Sequence, residues 1–328
     1  ICVQANEVVF THNTTHALNI VAQGLALTKS DLVIAGIDSH HSQLLPWRQV
    51  ATLRFIQTDD YGRIDLDHFQ TLLALRPKVI ALTHCSNVTG VVHPVEQMIA
   101  MIRKQSDAII VLDAAQSLPH GRLNLHTLGA DFVAFSAHKM LGPTGLGFLY
   151  ANRHRLDSLK PLQFGGGTVD WVDTDGQISR RAPYHLEAGT PAIASVIGAG
   201  ASFRLLAGFD ETALRAHDRN LVNSLLSGAA SRPYLKLIGP SDGENRHAIG
   251  AFKFSDCVSV GEIARLLSDA YGIMCRSGYM CAQPFVGALA GGEILRASAY
   301  LYNTTADIDA LYQALDDLAE CMGLPTIN

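Results

Sequence analysis

The 328-residue sequence contains no long run of lysine and arginine, and its formal net charge is -5. Nucleic acid and anionic membrane surfaces reward clustered basic side chains, so neither is expected as the main partner, and a small-molecule ligand is. No apolar stretch approaches the roughly 20 residues needed to span a bilayer, and the N-terminus lacks the charged-then-apolar layout of a signal peptide. The six cysteines (Cys2, Cys85, Cys257, Cys275, Cys281, Cys321) form no C-x-x-C pair and no zinc-like Cys/His spacing. Free thiols in a reducing compartment follow, hence an expected cytoplasmic location, and one of these thiols is a candidate nucleophile. There is no initiator Met ahead of Ile1-Cys2-Val3-Gln4, which leads straight into Val8-Val9-Phe10, so residues preceding Ile1 are expected. Internal repeats and low-complexity segments are also lacking.

What is present is enough apolar material, 48% against 17% charged, for one large domain and a smaller one. Short β-branched runs at Leu32-Ala35, Val79-Thr83, Ile109-Leu112, Phe132-Phe135 and Gly147-Tyr150 alternate with helical patterns such as Asp67-Leu75 and Val95-Lys104. This is the signature of an α/β fold, a mostly parallel sheet covered by helices. After Pro191 a small-residue helix pattern runs through Leu206. The turn cluster Gly239-Pro240-Ser241-Asp242-Gly243 marks a boundary. We therefore expect a large domain over 1–240 and a smaller α+β domain over 241–328. The latter would hold a strand near Ile249-Phe254, a helix at Val260-Tyr271, a loop around Cys281, a strand near Ile294-Ala299 and a final helix at Ala306-Met322.

In such sheets ligands collect beyond the carboxyl ends of the strands. Polar residues fall there: His84 to Asn87, Asp113 to Gln116, and Ser136 to Lys139. Asp113 ends a buried strand, where an unpaired carboxylate is costly, so something cationic should face it. The next strand ends in Lys139. A lysine whose pKa is lowered by desolvation can form a Schiff base with an aldehyde, and in pyridoxal 5′-phosphate (PLP) enzymes a carboxylate keeps the pyridinium nitrogen protonated. Asp113 and Lys139 fit those two roles. Singly, Asp113 reads equally as a helix N-cap and Lys139 as a solvated side chain; the pair, flanked by Ser136 and His138, is more specific. Thr14-Thr15, between the strand Val8-Phe10 and a helix beginning near Ala17, offers hydroxyls and free N–H groups for a phosphate, or a simple N-cap. Cys281 sits in a loop bounded by Gly278 and Pro284, with Arg276 near enough to favour its thiolate. Cys2, Cys257 and Cys321 read as buried inert thiols, and Cys275 lies off the motif.

The stretch Ser136-Ala137-His138-Lys139-Met140-Leu141-Gly142-Pro143-Thr144-Gly145 resembles the lysine motif of the class V aminotransferases, fold type I, and specifically of the cysteine desulfurases of the SufS/CsdA type. Ser86-Asn87-Val88-Thr89-Gly90, Leu186-Glu187-Ala188-Gly189-Thr190-Pro191, Arg276 through Pro284, and Leu295-Arg296-Ala297-Ser298 match in the same order, over nearly the whole chain. The resemblance implies that His40 stacks on the PLP ring, that Asn87 and Gln116 sit near its phenolic oxygen, and that Thr15, Ser136 and His138, with Thr14 nearby, bind its phosphate. It implies that Thr190 reaches the phosphate of a partner subunit, hence a homodimer. It assigns Arg296, supported by Arg276, to the carboxylate of L-cysteine, a role that suits a bidentate guanidinium fork. Cys281 would accept sulfur as a persulfide, leaving L-alanine, and pass it to a small acceptor protein, as the short link from Cys281 to Arg296 suggests. Alternatives are a selenocysteine or other C–S lyase or epimerase without a persulfide, with L-selenocysteine as a further substrate, or a weakly catalytic scaffold. The chain departs from the family at His12 and His16, Ser39, Leu141 and Met280, which bears on rate and substrate rather than on PLP binding. Nothing in it corresponds to the family's N-terminal Ala-Ala-Thr loop.

Overall fold

The computed structural model describes residues 3–327. In chain order its first unit runs β1 (Val8–Thr11), α1 (Thr14–Gly24), β2 (Leu32–Gly36), α2 (His41–Val50), β3 (Thr52–Ile56), α3 (Leu66–Leu73), β4 (Val79–Thr83) and α4 (Val95–Gln105). It continues with β5 (Ile109–Asp113), α5 (Leu125–Leu128), β6 (Phe132–Ser136), β7 (Gly147–Tyr150) and α6 (Arg153–Asp157). The seven strands form one sheet in the order β1-β7-β6-β5-β4-β2-β3. Only β7 runs antiparallel to its neighbours. β4 and β6 are buried at every position, as strands covered on both faces must be, which explains their continuous apolar runs.

Alternation along these strands sends successive side chains into two cores. Ile34, Ile80 and Ile110 meet Phe69 and Met98 from α3 and α4 on one face. Val33, Val79 and Val111 meet Leu18 and Trp47 from α1 and α2 on the other. Each fully buried side chain of this size contributes roughly 1.5–3 kcal/mol. Helix starts follow local chemistry: the Asn13 side chain caps α1 by accepting from His16 N, and Asp65 caps α3 by accepting from His68 N.

An exposed hairpin, β8 (Val169–Val172) with β9 (Gln177–Ser179), leads to α7 (Ile193–Gly208) and α8 (Glu211–Ala230). The second unit adds β10 (Lys236–Ile238), β11 (Ile249–Lys253), α9 (Val260–Tyr271), β12 (Arg276–Gly278), α10 (Gln283–Ala290), β13 (Ile294–Ser298) and α11 (Thr305–Met322). Its sheet has the order β10-β11-β13-β12, all antiparallel. The expected strands and helices are all present. The small sheet, however, recruits β10 from ahead of Gly239, and α8 contributes Leu221 and Leu225 to the small-unit core. The twenty-residue helix α8, β3 and the hairpin were not anticipated. Among the described residues no single helix is long and apolar enough to cross a membrane.

Candidate active site

Three carboxyl strand ends, two helix starts and two strands of the small unit converge on a cavity of about 300 Å³. Asp113 closes β5, while Ser136 closes β6 and leads into a single 3-10 turn, Ala137–Lys139. Thr83 closes β4, and His84 to Asn87 follow it. Arg276 and Arg296 enter from β12 and β13 and are register partners in that antiparallel pair.

The helix expected near Ala17 in fact begins at Thr14, with Asn13 as its cap, so Thr14 and Thr15 occupy the first turn rather than the cap position. Thr14 N donates to Ser136 Oγ at 2.8 Å and the two hydroxyls lie 2.6 Å apart. Thr15 Oγ1 meets Ser42 Oγ at 2.6 Å. Hydroxyls from α1, α2 and β6 thus gather at the positive end of α1, the place a phosphate requires. His138 lines the same cavity.

His40 is the N-cap of α2, where its Nδ1 accepts from Ser42 N at 3.1 Å. The neutral ring therefore carries its proton on Nε2. Burial, followed by the charge of Lys139, pulls its pKa down to about 4. Burial also lowers the Lys139 pKa, against the opposing pull of Asp113. No protein group among the described residues hydrogen-bonds the Lys139 amine. Burial raises Asp113, opposed by the Ala115 N–H donated to Oδ1 at 2.9 Å and by Lys139. Gln116 and Asn87 line the cavity, and Asn87 Oδ1 is a buried acceptor without a partner.

These features fit PLP. A lysine biased toward its neutral amine shares the cavity with a buried carboxylate, a hydroxyl cradle at a helix start and an asparagine with an orphaned amide oxygen.

The cysteine loop is held from three sides. Arg276 Nη2 donates to Cys281 Sγ at 3.0 Å, Asn87 Nδ2 to the Met280 carbonyl at 2.8 Å, and His41 N to the Cys281 carbonyl at 2.8 Å. Met280 and Cys281 both have left-handed backbones, φ 53° and 57°, a conformation costly for residues with a Cβ. Met280 is buried among Val88, Phe285 and Ile294, so it serves as an apolar peg beneath the loop. Arg296 Nη1 donates to the Asn87 carbonyl at 2.8 Å while its buried Nε has no partner.

Some expectations change. Cys257 and Cys321 are exposed rather than buried, because both lie on the rim of the small unit. Cys2 lies outside the described residues. Burial pushes the Cys275 thiol up to about 11, consistent with an inert thiol. Thr190 is exposed and outside this cavity, just ahead of α7. Asn13, Ser42, Thr83 and Cys85 line the cavity without having been singled out. Asn13 was findable as a cap residue ahead of a helix, and Cys85 as an in-register neighbour of Asn87; Ser42 becomes visible only once α2 docks on α1.

Residues 1–311 match the family model described as Aminotransferase class-V. A probable cysteine desulfurase 2 of Mycobacterium leprae is 39% identical over 320 residues, covering 94% of this chain and 75% of that protein. The apo structure of a cysteine desulfurase from Thermococcus onnurineus superposes with a TM-score of 0.91 at 33% identity, covering 97% of this chain and 80% of that one. The cysteine desulfurase CsdA of Escherichia coli gives 0.90 at 33% identity, with the same coverage.

Proposed function

Because this chain belongs to the class-V aminotransferase family, we propose that it is a PLP-dependent cysteine desulfurase that converts L-cysteine to L-alanine and carries the sulfur as a persulfide on Cys281. Overall, cysteine and the enzyme thiol become alanine and the enzyme persulfide. The C–S bond of the substrate breaks, an S–S bond forms, and the hydrogens balance.

When bound, PLP supplies an electron sink for the amino acid's α-carbon. The chain's own residues do the rest. Lys139 Nζ would hold the cofactor and could take and return a proton at the substrate Cα. Asp113 would serve the ring nitrogen. The neutral His40 ring, with its Nε2–H, would supply the stacking side chain. Thr14, Thr15, Ser136 and His138 would hold the phosphate. Arg296 takes the substrate carboxylate, since its orphaned Nε and second Nη provide a free fork. Arg276 orients the sulfur nucleophile.

The observation that carries this reading is the 3.0 Å contact from Arg276, a cavity residue, to Cys281 Sγ. Cys281 is not itself in the cavity lining, but this contact links its thiol to a lining residue of a site otherwise equipped for any amino acid. Cys281→Ser should retain PLP and bind cysteine, yet form no alanine above background; alanine and sulfide are quantified with and without a thiol reductant. Undiminished alanine formation would move the enzyme to the C–S lyase class. Mass spectrometry of the wild type after cysteine treatment should find one added sulfur on the Cys281 peptide.

A homodimer and a small acceptor protein complete the proposal. α7 is apolar yet buries only Ala199, leaving Ile193, Ile197 and Leu205 exposed. A second copy covering this face would bring its Thr190, adjacent to α7, toward the cofactor cavity.

A further inference from the structure

A second cavity of about 620 Å³ lies where the two units meet. The segment after β4 forms part of both walls: Thr83, Cys85 and Asn87 line the cofactor cavity, and His84, Val91 and His93 line the second one.

Arg246, just ahead of β11, is 6% exposed and lines this cavity. Its two Nη atoms donate to the carbonyls of Thr89 and Ile249, each at 2.8 Å, and of Pro240. Its Nε is buried without a partner. No carboxylate among the described residues pairs with it, since Asp242 is taken by Arg63 at 2.5 Å. A buried guanidinium with no counter-ion is expensive, and burial pulls its pKa down to about 10. Among the described residues one other arginine combines an orphaned buried Nε with a pKa brought to about 10: Arg296, the residue that faces the substrate carboxylate in the reading above.

The surroundings repeat the pattern. Arg219 lines the cavity, is exposed, and has no hydrogen-bond or ion-pair partner among the described residues. His84 is 5% exposed and its Nδ1 is unpartnered.

One carboxylate in this wall, Asp218, is already saturated. Oδ1 accepts from His120 Nδ1 at 3.2 Å and Ala248 N at 3.3 Å, and Oδ2 from His247 Nδ1 at 2.7 Å. The two rings stack at 4.3 Å between centroids. His120, Asp218 and His247 bring their ligand atoms within 4.8 Å of one another, as a metal trio would. Five arginines line this cavity, however; with Arg63 and Arg215 paired to Asp242 and Glu211, three remain against Asp218 and Glu96, and that excess of positive charge opposes a cation.

We propose that this cavity is a binding site for a small polyanion bearing two or more phosphate or carboxylate groups, held by Arg219 against a wall that includes the uncompensated Arg246 guanidinium and the side chain of His84.

Isothermal titration of the PLP-loaded protein, at constant ionic strength in chloride, tests this with inorganic pyrophosphate and with citrate; whichever binds names the phosphate or the carboxylate source. One equivalent per chain should bind with no change in the absorption of the bound cofactor. Arg219→Ala, a surface change that leaves the core intact, should weaken binding at least tenfold, and His84→Asn should weaken it as well. Four results would overturn the proposal: no binding beyond the chloride control, binding that displaces PLP, affinities unchanged in both variants, or saturable binding of Zn²⁺ that His247→Ala removes.

Discussion

Lys139 owes its chemistry to surroundings that disfavour its charge more than Asp113 favours it. Lys139→Ala should therefore lose the visible absorption of bound PLP on dialysis, and residual turnover should fall by about 10²–10⁴-fold, the usual worth of a positioned proton-transfer group. Retained absorption after dialysis would place the cofactor attachment elsewhere. His84 makes a separate prediction. Burial holds its pKa at about 4, below the ordinary 6.5, so the folded state binds fewer protons than the unfolded one in that interval. Such a group adds stability that is complete above about pH 6.5 and is lost as pH falls through 4, up to about 3 kcal/mol for a shift of this size. The melting temperature of the wild type should fall more steeply from pH 7 to 4.5 than that of His84→Asn. Asp113 and Lys139 were legible in the sequence because each is a charged residue that ends or follows an apolar run, whereas Arg296, inside β13, was legible only through the resemblance of its motif. The clamp from Asn87 to Met280 was not, because it joins positions 193 residues apart through a backbone carbonyl that any residue could supply.

At the level of elements, the phosphate cradle depends on one close approach. A Cβ at Gly147, in β7, would lie 2.5–2.8 Å from the backbone of Asn13, the cap of α1. Backbone cannot yield as a flexible side chain can. Gly147→Ala should cost about 1–3 kcal/mol, an overpacking penalty, and should weaken PLP binding by shifting Thr14 and Thr15. Thermal unfolding and cofactor titration read the two effects separately; a stability loss without a change in PLP affinity would mean that α1 does not set the cradle. The parallel strands were readable from the sequence because burial on both faces leaves continuous β-branched runs. β3 was not, being an edge strand with alternating exposure, and the hairpin β8–β9 is exposed almost throughout, so no core pattern marks it. α7 was legible as a helix, but its apolar residues surround it, so the sequence could not say which face is covered.

For the whole molecule, the exposed face of α7 predicts the assembly. Ile197→Glu should halve the mass measured by light scattering and, through loss of the neighbouring subunit's Thr190, loosen the cofactor; an unchanged mass would put the interface elsewhere. The boundary at the Gly239 turn cluster is a real turn in the chain, yet the units interlock across it. His247 N donates to the Gly90 carbonyl at 2.9 Å and Val92 N to the Asn245 carbonyl at 2.7 Å, with Val91 and Arg246 paired as a β-bridge between them. Arg296 binds the Asn87 carbonyl in the same segment. This seam is a weld rather than a hinge. The amides of Val92 and His247 should exchange with deuterium as slowly as those of β4, and the energy landscape should lack a wide-open state reached by swinging one unit away from the other. Sulfur delivery then falls to the smallest part able to move, a turn of two left-handed residues whose carbonyls are held by hydrogen bonds from the Asn87 side chain and the His41 backbone. Its relaxation to ordinary backbone angles would help offset the breaking of those bonds, so turnover should follow the dynamics of a few residues rather than of a domain.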